Sequence, residues 1–205
     1  MSKKAKDVEH YFSANPKSKA RLGLIRTYFR GHPFEFLTSS GIFSKNRIDL
    51  GTRLLVECMA LPDKGCALDI GCGYGPIGIA AATFRPELHV VMVDVNHRAA
   101  RLARQNIENN CVSNVEVRRG NLYEPVKDMV FDCVLSNPPV SAGMETVKAI
   151  ICEAPKHMAK KSILQMVVRS KVAGKRLCTF FEEAFGNVDV LERESGYRVL
   201  LSRKE

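Results

Sequence analysis

The stretch Ala67-Leu68-Asp69-Ile70-Gly71-Cys72-Gly73-Tyr74-Gly75-Pro76-Ile77-Gly78 constrains the fold of this chain more than any other segment. An apolar run broken by one acid leads into closely spaced glycines, and a proline then opens a second apolar run. This is the order of a buried strand, a tight turn and a helix. Glycine lets the backbone bend sharply and approach a ligand without interference from Cβ. A small molecule is therefore expected to lie against this turn, at the carboxyl edge of a parallel sheet.

The rest of the chain agrees with that frame. From residue 66 onward, short β-rich apolar runs alternate with longer helical patterns, which predicts an α/β, doubly wound, mostly parallel sheet. Strands are expected over 66–70, 89–94, 115–118, 130–136 and 163–168, and helices over 76–84, 96–110, 143–157 and 172–185. The runs 188–193 and 197–202 flank Glu194-Ser195-Gly196 and predict a closing antiparallel hairpin, making seven strands. Gly41 marks a turn ahead of a helix starting near Gly51. With 205 residues, one domain with a sizeable core is expected.

Residues 1–50 read differently. Basic residues interleave with Tyr11, Phe12, Tyr28, Phe29, Phe34 and Phe36, a mixture that suits either stacking on nucleic-acid bases or packing an appended element onto the core. The expected organisation is an extension over 1–50 that packs on the core and is available for RNA contact, followed by a catalytic domain over 51–205. Lys and Arg outnumber Asp and Glu by 31 to 22, a net charge of +9 that favours a polyanionic partner. Lys156, Lys160 and Lys161, with Arg169, Lys171, Lys175 and Arg176, are read either as an RNA face near the carboxyl edge of the sheet or as solvated helix faces.

Other classes are disfavoured. The longest apolar stretches fall far short of the roughly 20 residues that span a bilayer. The start, Met-Ser-Lys-Lys-Ala-Lys-Asp, lacks the apolar core of a secretory signal, so a cytoplasmic protein without membrane contact is expected. Seven cysteines, at 58, 66, 72, 111, 133, 152 and 178, form no Cys-x-x-Cys pair. They read as small hydrophobes kept reduced. His10, His32, His89, His97 and His157 show no paired spacing, so no metal site is expected.

Three further positions carry chemistry. Gly73, Gly75 and Gly78 also satisfy the dinucleotide pattern G-x-G-x-x-G, yet Asp69 just before the turn would repel a pyrophosphate and suits a cationic ammonium. Asp94, ending the second strand of this pattern, can accept from both hydroxyls of a ribose. Asn121, after Gly120, can pair with the edge of an adenine, or serve simply as a turn residue. After the fourth strand the chain reads Ser136-Asn137-Pro138-Pro139-Val140. Two prolines stiffen the loop, remove two donors and leave carbonyl acceptors. The Asn137 oxygen and the Pro138 carbonyl can accept both hydrogens of an –NH₂ group and orient the nitrogen for in-line attack on a methyl group, without a strong general base.

Asp-x-Gly-x-Gly-x-Gly followed by Asn-Pro-Pro resembles the amino-methyltransferases of nucleic acids and of release-factor glutamine. Gly41-Ile42-Phe43-Ser44, Ile48-Asp49-Leu50-Gly51-Thr52-Arg53-Leu54-Leu55 and Gly196-Tyr197-Arg198-Val199-Leu200 resemble the small-domain class I methyltransferases. That family includes the ribosomal small-subunit RNA guanine-N2 methyltransferases and shorter archaeal relatives. The resemblance runs from about residue 33 to the C-terminus. It implies S-adenosylmethionine as methyl donor and a Rossmann-like class I fold. It also implies a cofactor set of Asp69, Gly71, Cys72, Gly73, Gly75, Asp94, Val95, Asn121, Leu122 and Asn137. Asn137, Pro138 and Pro139 would form the catalytic loop, with Phe43, Val140 and Tyr197 on the substrate side. Many members carry Tyr or Phe where this chain has Val140, so stacking on a flipped base falls to Phe43 or Tyr197. The bacterial enzymes also carry a second, degenerate domain for substrate recognition; no counterpart is expected here, so that work would fall to the N-terminal extension and the basic surface.

The function implied is methylation of a guanine in ribosomal or transfer RNA, most simply at the exocyclic N2, with no obligate protein partner. Methylation at another guanine atom such as N7, or of a release-factor glutamine, is the alternative. A non-catalytic RNA-binding relative is a third reading, against which the intact Asp69, Asp94 and Asn137 argue.

Overall fold

The computed structural model describes residues 21–138, 143–171 and 175–205. Among the described residues nine strands and five α-helices follow in the order β1 Leu22–Phe29, β2 His32–Ser39, α1 Leu50–Cys58, β3 Gly65–Ile70, α2 Pro76–Phe84, β4 Leu88–Asp94, α3 His97–Asn109 and β5 Val115–Arg119. They continue with β6 Phe131–Ser136, α4 Met144–Glu153, β7 Met158–Arg169, α5 Lys175–Phe185, β8 Asp189–Glu194 and β9 Tyr197–Arg203. Seven strands form one sheet in the order β5-β4-β3-β6-β7-β9-β8. Strands β3 to β7 pair in parallel, and β9 pairs antiparallel with both β7 and β8. The doubly wound sheet and its closing hairpin are thus as the sequence predicts.

Burial on both faces explains why β3 and β4 read as near-continuous apolar runs. Ala67, Val90, Met92, Cys133 and Leu135 pack into one cluster with α1, α2, α3 and the β1–β2 hairpin. The alternate residues Leu68, Ile70, Val91, Val93 and Val134 pack into a second with α4 and α5. Strand order reverses at β3, which has β4 on one side and β6 on the other. Such a switch point opens a crevice beyond the carboxyl ends of the strands. No helix among the described residues is long and apolar enough to cross a membrane.

The antiparallel hairpin β1–β2 goes beyond the extension expected over 1–50, for which the sequence marks no strands. Its two-residue connection, Arg30-Gly31, has φ of 47° and 83°, as the right-handed twist of a tight hairpin requires. Arg30 is a poor advertisement for such a turn. Phe29, Phe34 and Phe36 are buried, so these aromatics pack rather than stack on a ligand, whereas Tyr28 is 66% exposed. Asn106 and Asn110 of α3 dock the hairpin. The Asn106 amide accepts from Leu37 N at 2.7 Å and donates to Leu37 O at 3.0 Å, while Asn110 does the same for Glu35 at 3.0 and 2.8 Å. Two side chains thereby satisfy a strand edge as a neighbouring strand would. Tyr11 and Phe12 lie outside the described residues.

Two further corrections concern the region after β6. The helix expected over 143–157 ends at Glu153 and passes into a 3-10 turn, Ala154–His157, where Pro155 has no N–H to continue the α ladder. Strand β7 starts five residues early, and a register shift between Phe131 and Cys133 absorbs the excess. Lys160 and Lys161 therefore sit near the amino edge of the sheet, while Arg169 and Lys171 lie at the carboxyl edge. Lys160 and Lys161 thus belong to no basic face at the carboxyl edge. The part of the helix expected over 172–174 falls outside the described residues.

Candidate active site

Three helix starts shape the carboxyl edge. Gly71, Gly73 and Gly75 have φ of 73°, 59° and 96°, the left-handed region that favours glycine, and the turn they make delivers Pro76 to the first position of α2. Gly71 N and Cys72 N donate to Val93 O at 2.8 and 3.1 Å, tying the turn to the end of β4. A Cβ on Gly78 would stand 2.4 Å from Met92 Sδ and 3.2 Å from Asp69 Oδ2. Gly78→Ala is thus expected to lose about 2 kcal/mol to overpacking, lowering Tm by roughly 5 °C. Thermal unfolding checks this; a Tm within a degree of the parent would show that Met92 yields freely.

Asp94 closes the same turn. Its Oδ2 accepts from Gly73 N at 2.8 Å and its Oδ1 from Asn96 N at 2.8 Å, leaving lone pairs on both oxygens. Burial raises its pKa, opposed by these two N–H bonds. Asn96 caps α3 by accepting from Arg98 N and Ala99 N, and its Nδ2 donates to Gly41 O at 3.3 Å. Arg98 Nη1 donates to Ser40 O at 2.7 Å. The segment after β2 is thereby drawn over the strand ends, with Phe43 37% exposed above them.

Asp69 is fully buried. Its Oδ2 accepts from Gly78 N at 2.9 Å, and its Oδ1 has no partner among the described residues. Burial pushes its pKa up to about 7, the Gly78 N–H opposing and Asp94 adding to the rise. The folded protein therefore prefers the neutral acid. That contribution to stability is complete below about pH 4, the unfolded-chain value, and is lost as pH rises through about 7. Asp69→Asn keeps an oxygen for Gly78 and cannot ionise. Without ligand, it is expected to melt above the parent at about pH 8 and level with it at about pH 4. Parallel melting curves across that range would remove the buried charge from the account.

Asn137, at the carboxyl end of β6, stands across from this floor. Its Nδ2 donates to Asp49 Oδ2 at 3.2 Å and to Thr52 Oγ1 at 2.9 Å. Asp49 is the N-cap of α1, its Oδ2 also accepting from Gly51 N and Thr52 N. An oxygen already accepting N–H bonds can face only a donor, so the Asn137 amide turns its nitrogen to α1 and keeps Oδ1 as an acceptor.

These walls enclose a cavity of about 250 Å³. Of the residues the sequence singles out, Phe43, Gly71, Cys72, Gly73, Asp94, Val95, Asn121, Leu122, Asn137 and Pro138 line it. Asp69 and Gly75 lie behind the lining rather than in it. Tyr197 is also absent from the wall: its ring lies 2.9 Å from where a Gly51 Cβ would be, its hydroxyl reaches Asp49 Oδ1 at 3.3 Å, and Arg169 lies over its face. Tyr197 braces α1. Pro139 and Val140 fall outside the described residues. The resemblance implies that the segment 43–49 helps cover the cofactor and shape the target pocket, but it singles out the side chain of neither Asp49 nor Thr52 and passes over Thr146 and Ile150, although Thr52, Thr146 and Ile150 line the cavity. Asp49-x-x-Thr52 before an apolar run carried a helix-cap signal that would have placed the first two. Burial makes the Cys72 thiol harder to ionise, consistent with an inert wall.

Residues 33–201 match the family model described as methyltransferase small domain. The chain belongs to the methyltransferase small domain family. Among its relatives in this family is the uncharacterized protein YbxB of Bacillus subtilis (strain 168), 34% identical over 198 residues, covering 96% of this chain and 98% of that one. Ribosomal RNA small subunit methyltransferase C of Escherichia coli O9:H4 (strain HS) is 30% identical over 174 residues, covering 82% of this chain and 49% of the relative. The chain thus spans about half the length of that ribosomal RNA methyltransferase. A T. Thermophilus 16S rRNA N2 methyltransferase, solved in complex with AdoMet and guanosine, superposes with a TM-score of 0.81 at 21% identity, over 93% of this chain and 52% of that one. A precorrin-6y C5,15-methyltransferase of Geobacter metallireducens gives 0.67 at 18% identity over 83% and 94%. Both likenesses establish the small-domain chain as a class I methyltransferase fold.

The site fits S-adenosylmethionine. Asp94 offers two half-used carboxylate oxygens to a ribose diol, Asn121 an exposed amide to an adenine edge, and Leu122 and Ile150 an apolar wall. Beneath them the orphaned Asp69 Oδ1 is an acceptor that a cationic group nearby would favour.

Proposed function

We propose that this small-domain methyltransferase transfers a methyl group from S-adenosylmethionine to the exocyclic N2 amino group of a guanine in structured RNA, ribosomal or transfer. The observation that carries the reading is the orientation of Asn137, held by its Nδ2 with its oxygen as the free acceptor. The cofactor, when bound, supplies an electrophilic methyl group on a sulfonium. Asn137 Oδ1 and the carbonyl of Pro138 accept the amino hydrogens and so aim the nitrogen lone pair. As that nitrogen gains positive charge, the same two oxygens relieve it, and a proton is shed to solvent after transfer. Ile42 and Phe43 add apolar lining to the same cavity. A bare ring nitrogen such as guanine N7 carries no hydrogen and would meet an acceptor with an acceptor, so this orientation disfavours it.

RNA as the substrate class rests on charge. Exposed Lys45 and Arg47 occupy the segment that also carries Phe43, and Lys171 lies at the carboxyl edge, in a chain of net charge +9. Residues 1–50 serve as an accessory element, whose hairpin packs through Phe29, Phe34 and Phe36 and leaves Tyr28 free for contact. The test uses labelled S-adenosylmethionine and a cell extract as acceptor. Label is expected to disappear after ribonuclease treatment and survive protease treatment. The reverse pattern would replace RNA by a protein acceptor, with a glutamine amide in the place of the guanine amine.

A further inference from the structure

We infer that Asp49 is a positioning residue for methyl transfer: its carboxylate determines which way the Asn137 amide faces, and the Thr52 hydroxyl holds the amide in that place. The inference rests on the amino-methylation reading and concerns the same site. A primary amide is nearly symmetric in shape, so its two orientations are separated only by what surrounds them. Turned the wrong way, Asn137 would present two N–H donors to a substrate that is itself a donor. The structure resolves the ambiguity on the side away from the substrate. Asp49 Oδ2 gathers three donors, Gly51 N at 3.0 Å, Thr52 N at 3.2 Å and Asn137 Nδ2 at 3.2 Å. Thr52 Oγ1 takes a second bond from the same Nδ2 at 2.9 Å. Flipping the amide would set its oxygen against the Asp49 carboxylate oxygen and lose that bond, whereas the Thr52 hydroxyl, which can donate as well as accept, leaves the choice of orientation to Asp49.

Asp49 is itself held at both ends. The N-terminal amides of α1 fix one carboxylate oxygen, and the Tyr197 hydroxyl reaches the other at 3.3 Å from β9, 148 residues away. Gly51 lets the Tyr197 ring lie flush on the helix start, since a Cβ there would meet the ring at 2.9 Å. The chain Tyr197, Asp49, Asn137 thus ties the closing hairpin of the sheet to the catalytic loop. This assigns Tyr197 to support of the loop.

Asp49 also caps a helix, so the test must separate the two roles. Serine caps about as well as aspartate but is too short to reach Asn137 or Tyr197. Asp49→Ser is expected to keep Tm within a few degrees and cofactor Kd within about twofold, while kcat for RNA falls roughly 10- to 100-fold, the scale of a misplaced reacting group. Asp49→Asn, which keeps an oxygen toward Nδ2, recovers part of the rate. Thr52→Val, which leaves the cap untouched, lowers kcat roughly 3- to 10-fold, the worth of one hydrogen bond of about 1 kcal/mol. A second readout needs no acceptor: hydrogen exchange of the Asn137 side-chain amide, followed by NMR in asparagine-labelled protein, should accelerate in Asp49→Ser and Thr52→Val. Wild-type kcat in Asp49→Ser reduces Asp49 to a helix cap. Loss of kcat with unaltered amide exchange also overturns the inference, because Asp49 would then act on the substrate and not through Asn137. Should the parent methylate no RNA, the function reading fails alone, and amide exchange still decides the positioning role. Should Asp49→Ser not fold, Thr52→Val and Asp49→Asn decide it by the same two measurements.

Discussion

Asn137→Ala is expected to lower kcat by roughly 10²–10³-fold, the range seen when one preorganised partner of a developing charge is removed. Cofactor Kd should stay within about threefold. The asymmetry follows from geometry. Asn137 lies at the carboxyl end of β6, across the cavity from the glycine turn and Asp94, and it bonds to α1 rather than to the cofactor floor. Truncation deletes the acceptor that aims the amine and leaves the floor intact. It also leaves Thr52 Oγ1 without its amide partner, at the open cavity, where water can replace it. Fold stability should therefore move by less than about 1 kcal/mol. Single-turnover methyl transfer together with calorimetric cofactor titration checks both halves. A comparable loss in kcat and in cofactor affinity would place Asn137 in the cofactor site instead.

The second large effect is expected from Asp94→Ala. Both carboxylate oxygens already accept one backbone N–H each, from Gly73 and Asn96, and both are free to accept one hydroxyl more. Hydrogen bonds to a charged group contribute about 1.5–3 kcal/mol each, so loss of two raises cofactor Kd by at least about 100-fold. Removing the carboxylate also strips Gly73 N and Asn96 N of their acceptor. Leaving such donors unpaired costs about 1–3 kcal/mol, a fall in Tm of roughly 2–10 °C in the ligand-free protein. Asp94→Asn separates the terms. It keeps one oxygen for a backbone donor and should restore most of the Tm while binding cofactor poorly. Equal cofactor affinity in Asp94→Asn and the parent would mean that the diol is held elsewhere.

Much of this site was legible because parallel sheets leave plain marks. Runs buried on both faces, a glycine turn followed by Pro76 and an acid at the end of β4 identify the switch-point crevice without any tertiary information. Asn137 and Pro138 were legible from position alone, at the end of β6. The relation between Asn137 and Asp49 was not, because it spans 88 residues and depends on how α1 packs beside β6. Local pattern shows Asp49 as a helix cap; only packing shows that the cap has a second client. Tyr197 misled for the same reason: an aromatic near a proposed substrate pocket suggests stacking, yet its ring closes on Gly51. The hairpin β1–β2 was missed since Arg30-Gly31 lacks the Asn-Gly signal, and its edge is satisfied by Asn106 and Asn110 from a helix rather than by a strand. The basic residues of β7 were grouped by proximity in sequence, and a strand carries its two ends to opposite edges of a sheet.

The most direct test of amino methylation is the identity of the methylated nucleoside. Total RNA incubated with the protein and labelled S-adenosylmethionine, then digested to nucleosides and resolved by mass spectrometry, should carry the label in N2-methylguanosine, and should carry none when Asn137→Ala replaces the parent. Label in 7-methylguanosine, or in a ribose methyl group, would contradict the orientation assigned to the Asn137 amide.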